Sequence, residues 1–193
     1  MLAGKKIGIG MSGSFCSLEA SLKAIRALKE TGADLYCIMS GMVYEEDSRF
    51  MDAKDVREQM EEITGHKIVT TVQEAEQFGP KDPLDLIVVL PCSANTMAKL
   101  ANGLCDNALV MAIKATLRNL HPVVLGIFTN DALGNSGTNI MKLMNTKHIF
   151  FIPFGQDDPV KKPNSMVCDP NQLVPTCISA LNNEQYQPVI ISF

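Results

Sequence analysis

No apolar run in this sequence approaches the roughly 20 residues that a membrane span needs. No tract of lysine and arginine offers a polybasic membrane anchor. The net charge of −4 and the pI near 5.4 disfavour sequence-independent binding to nucleic acid, which gains its affinity by neutralising phosphates. Six cysteines (Cys16, Cys37, Cys92, Cys105, Cys168 and Cys177) stand far apart, with no CxxC pair and no histidine at ligand spacing. That pattern suits neither a metal site nor a disulfide scaffold, so the expectation is reduced thiols packed as small core residues in a cytoplasmic protein. Basic residues do occur between Met1 and Lys6, but Gly8, Gly10, Ser12, Gly13 and Ser14 interrupt any signal-like apolar stretch.

What is present is the make-up of one globular domain spanning residues 1–193, 46% hydrophobic and 20% charged, with an adequate core. Apolar runs alternate with amphipathic stretches from end to end. This predicts an α/β fold: a doubly wound, mostly parallel sheet flanked by helices, of Rossmann or flavodoxin-like type. Strands are expected at Lys5 to Gly10, Asp34 to Met39, Leu84 to Leu90, Pro122 to Phe128 and His148 to Ile152, with a short one near Ile68 and Val69. The unbroken apolar run Leu84 to Leu90 marks a central strand covered on both faces. A first helix carries Leu18, Leu22, Ile25 and Leu28 and stops at Gly32; a second begins after Asp52, carries Val56, Met60 and Ile63, and closes at Gly65. Further helices are expected over Asn95 to Asn102, Ala108 to Asn119 and Gln172 to Leu181, the last weakened by Pro175. Tyr44 to Phe50 reads as a surface loop and Gly79 to Pro83 as a turn. Pro153 to Pro170 is long for a compact domain, which points to function or a partner.

In such sheets ligands bind beyond the carboxyl ends of the strands. The chemistry is therefore expected in four loops: Met11 to Phe15, Ser40 to Val43, Pro91 to Thr96, and Thr129 to Thr138. The first follows Gly8-Ile9-Gly10-Met11-Ser12-Gly13, formally a GxGxxG. A nicotinamide site would need an acid at the end of the second strand, where Met39-Ser40-Gly41 stands instead. Ser12, Gly13 and Ser14 suit a monophosphate better, with two hydroxyls, close backbone approach and free amides at a helix start. A plain tight turn is the competing reading. In Pro91-Cys92-Ser93-Ala94-Asn95-Thr96, neutral hydroxyl and amide groups can bond a polar ring edge or a polyol chain without burying charge, or can simply cap the following helix. Nothing adjacent to Cys92 lowers its thiol pKa, His121 and His148 are expected to be packing or surface residues, and no general base is assigned.

Pro91-Cys92-Ser93-Ala94-Asn95-Thr96, then Ala98-Lys99-Leu100-Ala101-Asn102-Gly103 and Asp106-Asn107, resembles the PASANT-type signature of the flavoprotein family, which includes phosphopantothenoylcysteine decarboxylases, lantibiotic cysteine decarboxylases and flavin prenyltransferases. The resemblance implies FMN as cofactor, with Gly13 and Ser14 (and Ser12 beside them) on its phosphate, Ser40 close by, and Ser93, Ala94, Asn95 and Thr96 binding the flavin or lining its pocket. It departs from the decarboxylases in two places. No histidine follows the second strand, and Thr129-Asn130-Asp131-Ala132-Leu133-Gly134 does not keep their PxMN clamp.

The second half, including Lys114 to Asn119, Thr129 to Gly134, Gly137 to Met141, Phe150 to Pro159 and Lys161 to Val167, is similar to the family of dipicolinate synthase B subunits. That similarity implies oxidation of a dihydro- or hydroxytetrahydro-pyridine dicarboxylate to dipicolinate in the mother cell of a sporulating bacterium. The implied partner is a dehydrogenase-like chain carrying NAD(P), the A subunit of dipicolinate synthase. It also implies a homo-oligomer built on a trimer, because flavin sites in this family often lie between protomers. A dianionic substrate needs cations or dense donors. Lys161, Lys162 and Asn164 are expected to close over its carboxylates, with Asn130 and Thr138 completing the site and Arg118 as a further candidate. Two rivals stand beside this reading: a stand-alone FMN-dependent decarboxylase or transferase, and a non-catalytic scaffolding protein without flavin.

Overall fold

The computed structural model describes all 193 residues. Five parallel strands form the body of the sheet: β1 (Lys6–Met11), β2 (Asp34–Met39), β3 (Leu86–Cys92), β4 (Val123–Thr129) and β5 (Ile149–Phe151). Their order is β2-β1-β3-β4-β5. This is the flavodoxin-like order, in which the chain winds one way from β1 and the other way from β3, leaving a crevice between those two strands. Every residue of β3 is buried, as a strand covered on both faces requires. Ile87, Val88, Val89 and Leu90 are fully out of solvent, each worth about 1.5–3 kcal/mol of transfer energy.

The helices are α1 (Leu18–Glu30), α2 (Gly41–Glu45), α3 (Ala53–Thr64), α4 (Val72–Glu76), α5 (Ala94–Ala101), α6 (Ala108–Arg118), α7 (Gly137–Met144) and α8 (Leu173–Leu181). On one face α1 packs against α8; on the other lie α4, α5, α6 and α7; α3 sits by β2 beside α1 and α2. The predicted apolar stripe Leu18, Leu22, Ile25 and Leu28 is the buried face of α1. The expected loop from Tyr44 begins later than the sequence suggests, because Tyr44 and Glu45 complete α2. The expected strand near Ile68 reduces to a single bridge from Val69 to Ile38. Pro175 is harmless in α8 because it falls in the first turn, where a backbone N–H has no helical acceptor.

The long segment after β5 has structure of its own. It forms a hairpin of β6 (Phe154–Gly155) and β7 (Met166–Cys168). β7 runs antiparallel to the carboxyl end of β4, pairing with Phe128 and Thr129. The connecting residues 156–165 are thereby held at the functional end of the sheet. Beyond α8 the chain returns along the β5–β6 edge. The Gln185 side chain accepts from the Phe151 N–H (2.8 Å) and donates to the Phe151 carbonyl (2.7 Å). Further on, Phe154 N–H donates to Val189 C=O and Ile191 N–H to Phe154 C=O, both at 3.0 Å.

Candidate functional site

The β1–β3 crevice is a cleft of about 530 Å³, inside the usual range for small-molecule sites. All four expected loops contribute to it: Ser12, Gly13 and Ser14 after β1; Ser40, Gly41 and Met42 after β2; Ser93, Ala94, Asn95 and Thr96 after β3; and Thr129, which ends β4, with Asn130 beyond it and Phe128 before it. Lys99 and Asn107 complete the wall.

Ser12 is almost entirely buried, and its hydroxyl is already committed. It donates to the Pro91 carbonyl (3.0 Å) and accepts from the Ser93 N–H (2.8 Å), while the Ser12 N–H also reaches Pro91 C=O (3.2 Å). Ser12 thus fixes the first and third loops against each other, which differs from the phosphate contact expected of its hydroxyl. The Ser14 N–H donates to Ser12 C=O (2.7 Å), folding a tight turn. The Gly13 N–H and the Ser14 hydroxyl make no hydrogen bond within the chain. Two glycines of the GxGxxG differ in purpose. A Cβ on Gly10 would lie 2.3 Å from Leu109 Cδ1, so that glycine lets α6 pack on β1. A Cβ on Gly13 would lie 3.0 Å from Met42 Cγ, at the cleft itself.

Ser40 precedes α2 in extended conformation but does not cap it. Its Oγ is buried without a partner, a state that costs about 1–3 kcal/mol unless a ligand satisfies it. Ser93 is the N-cap of α5: its Oγ accepts from the Thr96 N–H (3.4 Å) and donates to Thr96 Oγ1 (3.2 Å). The capping alternative therefore holds for the Ser93 side chain, and the Ala94 and Asn95 N–H groups are left at an open helix start. Asn107 caps α6 through Oδ1, which accepts from the Val110 N–H (3.1 Å). Lys99 is bound to Asp106 at 2.7 and 2.8 Å, and this ammonium holds the Asp106 carboxyl below its ordinary pKa. Neither Lys99 nor Asn107 was expected at the site. The signal was there for Lys99, which falls four residues after Asn95 and so on the same helix face.

The substrate candidates divide. Asn130 lines the cleft. Thr138 stands exposed in the first turn of α7, outside the lining. Arg118 is the last residue of α6, while the cleft holds the cap at the opposite end. At 1.5 Å per residue that separation is roughly 16 Å, so Arg118 does not join the site. Lys161, Lys162 and Asn164 lie on the β6–β7 loop, beside the cleft but not in its wall. This loop is braced by its own bonds: Lys162 Nζ to Asp157 Oδ2 (2.9 Å), Lys161 N–H to Asp158 Oδ1 (2.9 Å), and Gln156 Nε2 to Pro163 C=O (2.9 Å). Asn164 C=O accepts from Leu133 N–H (3.0 Å), tying the loop to the turn after β4. Lys162 pairs with Asp157, and Lys161 has no acidic partner.

No histidine lines the cleft. His66 stacks on Tyr36 (4.2 Å between centroids) and bonds Asp34 (3.0 Å), at the opposite end of β2. Burial pushes the Cys92 thiol up to about 12, as expected of a core residue and not of a nucleophile. No group of three metal-ligating side chains exists, and no helix is long and apolar enough to cross a membrane.

Known proteins share both the sequence and the fold. The Flavoprotein family model matches residues 1–175. The B subunit of dipicolinate synthase from Bacillus subtilis (strain 168) is 47% identical over 190 residues, 98% of this chain and 95% of that one. The crystal structure of the dipicolinate synthase B subunit from Bacillus halodurans C superposes with a TM-score of 0.91 at 45% identity, covering 99% and 98% of the two chains. An FMN-dependent cysteine decarboxylase shares the fold, with a TM-score of 0.66 at 23% identity over 94% and 98% of the chains.

Proposed function

The chain belongs to the Flavoprotein family, and from that premise we propose that it is the FMN-binding B subunit of a dipicolinate synthase, working with a dehydrogenase-like A subunit that carries NAD(P). The observation that carries the flavin part is the buried, unpartnered Ser40 hydroxyl in the wall of a switch-point cleft whose other free donors are neutral. The residues fit the group. Gly13 N–H, Ser14 Oγ and Ser40 Oγ would hold the monophosphate. Asn95 and the Ala94 N–H would meet the ribityl chain or polar ring edge, with Thr96 as wall. FMN, when bound, supplies a two-electron acceptor.

The chain's own residues bind and orient. Ser12 holds two loops in register so that their donors converge. Asn130 and Lys161 face the substrate dicarboxylate, a dihydro- or hydroxytetrahydro-dipicolinate, with Lys161 arriving from the braced β6–β7 loop. Only Met42, Ala94 and Phe128 give the cleft apolar surface, too little to cover both faces of a flavin ring. A second protomer of a trimer-based homo-oligomer supplies the remaining wall. The reaction belongs to the mother-cell cytoplasm of a spore-former.

Calorimetric titration with FMN tests the reading. Saturable binding near one per chain supports it, and no binding at high micromolar FMN by the folded protein overturns it. Dipicolinate formation by the chain mixed with its dehydrogenase-like partner, and by neither alone, supports the division of the enzyme between two chains. Turnover by the chain alone would transfer it to a stand-alone flavoenzyme.

A further inference from the structure

Lys99 is the only positively charged side chain in the cleft wall, and its partner is poorly anchored. The Lys99 side chain is 21% exposed and that of Asp106 is 58% exposed. Apart from Lys99, the Asp106 side chain receives only the Asn107 Nδ2 hydrogen bond (3.2 Å). A solvent-exposed carboxylate holds an ammonium weakly, because water competes for both charges. A carboxylate delivered inside the cleft competes for the same ammonium on better terms.

The location also matters. The Gly13–Ser14 turn leads into α1 on one face of the sheet. Lys99 lies on α5, and Asn107 opens α6, whose Leu109 packs on Gly10 from the other face. The two ends of the cleft are therefore chemically different: neutral donors at the α1 side, one exchangeable cation at the α5–α6 side. We infer that Lys99 is the recognition cation for one carboxylate of a pyridine-type dicarboxylate, and that Asp106 is a placeholder the ligand displaces. The inference rests on the reading of this cleft as a flavin and dicarboxylate site. Lys99 here is a recognition residue for one carboxylate, distinct from the hairpin Lys161 proposed above for the second.

The test is calorimetric titration of the FMN-loaded chain with pyridine-2,6-dicarboxylate in metal-free buffer. Lys99→Met should weaken binding about tenfold, the scale of one lost charge-assisted contact. Lys99→Arg should retain most of it. Asp106→Asn, which removes the competitor, should tighten binding by about threefold. FMN affinity should stay within about twofold in all three variants. Unchanged dicarboxylate affinity in Lys99→Met, or no dicarboxylate binding by the wild-type chain, overturns the inference. So does a parallel loss of FMN affinity, which would assign Lys99 to the flavin phosphate. Failure of the wild type to bind FMN at all would count against the flavin reading alone, and the same dicarboxylate titrations on the flavin-free chain would still decide the role of Lys99.

Discussion

The Ser12 hydroxyl accepts a hydrogen bond from the Ser93 backbone N–H at 2.8 Å across 81 positions of sequence and donates its own to the Pro91 carbonyl at 3.0 Å. Ser12→Ala leaves the Ser93 N–H unpaired in a buried setting. The expected loss is about 1–3 kcal/mol in stability, read as a lower urea midpoint at unchanged slope. FMN affinity should also fall, since the α5 start is no longer pinned. An unchanged midpoint would mean that water or a shifted backbone replaces the bond without cost.

Gly13→Asp puts a Cβ against Met42 and a negative charge where the flavin phosphate is proposed to sit. Flavin fluorescence titration should show FMN affinity down by at least about 100-fold, since steric and charge effects combine. Gly13→Ala should be milder, because the Met42 side chain can swing away. Near-native affinity in the Asp variant would move the phosphate to another loop.

Thiol chemistry separates the core from the surface. Burial raises the pKa of Cys37, Cys92, Cys168 and Cys177, and these side chains lie in the interior. In the folded chain a thiol reagent at pH 8 should modify exposed Cys16 quickly and half-buried Cys105 slowly, with all six reacting only in denaturant. Rapid modification of Cys92 would contradict its assignment as a packing residue. Cys92→Ala should still bind FMN.

Asp85 governs part of the acid response. Burial alone would raise its pKa, but the Lys6 N–H (2.8 Å) and the Lys5 ammonium (3.0 Å) outweigh it and hold the carboxyl below its ordinary value. A group whose pKa is depressed by folding contributes stability that is fully present above the unfolded pKa of about 4 and is lost as pH falls through the folded value. Asp85→Asn should therefore lower stability at pH 7 and flatten its decline below about pH 4. Parallel wild-type and variant curves over that window would show that Asp85 is not the group responsible.

The two hairpin lysines should behave differently despite being neighbours. Lys162→Ala releases Asp157 and should raise protease sensitivity within residues 156–165. Lys161→Ala leaves the brace intact and should raise KM for the dicarboxylate in the complex with the dehydrogenase-like partner about tenfold, with little change in kcat. Equal effects of both changes on KM would return Lys162 to the substrate site.

The parallel core was legible because burial on both faces leaves unbroken apolar runs, and β3 and β4 could be placed within two or three residues. The four loops that line the cleft were legible because each follows a strand whose carboxyl end could be placed. What escaped was set by distance or brevity. The Ser12–Ser93 bond joins residues 81 positions apart, so a local reading assigned Ser12 a ligand it does not meet with its hydroxyl. β6 and β7 are too short for a period. α4 is only five residues long, and its one sequence signal is the capping box of Thr71 and Glu74. α7 hid behind Gly134-Asn135-Ser136-Gly137, which reads as a loop. Arg118 carries a charge that suits a dicarboxylate, but the length of α6 sets it at the far end from the cleft.

The Gln185 side chain gives Phe151 the two hydrogen bonds that a neighbouring strand would otherwise provide, and the last residues do the same for Phe154. The C-terminal residues are thus the selvedge of the sheet, the finished border that keeps the weave from running on. A chain cut after Glu184 would fold the same core with a raw border of unpaired amides and carbonyls, and would recruit the same border of another copy. Soluble expression, more than thermal stability, is where that loss would be felt.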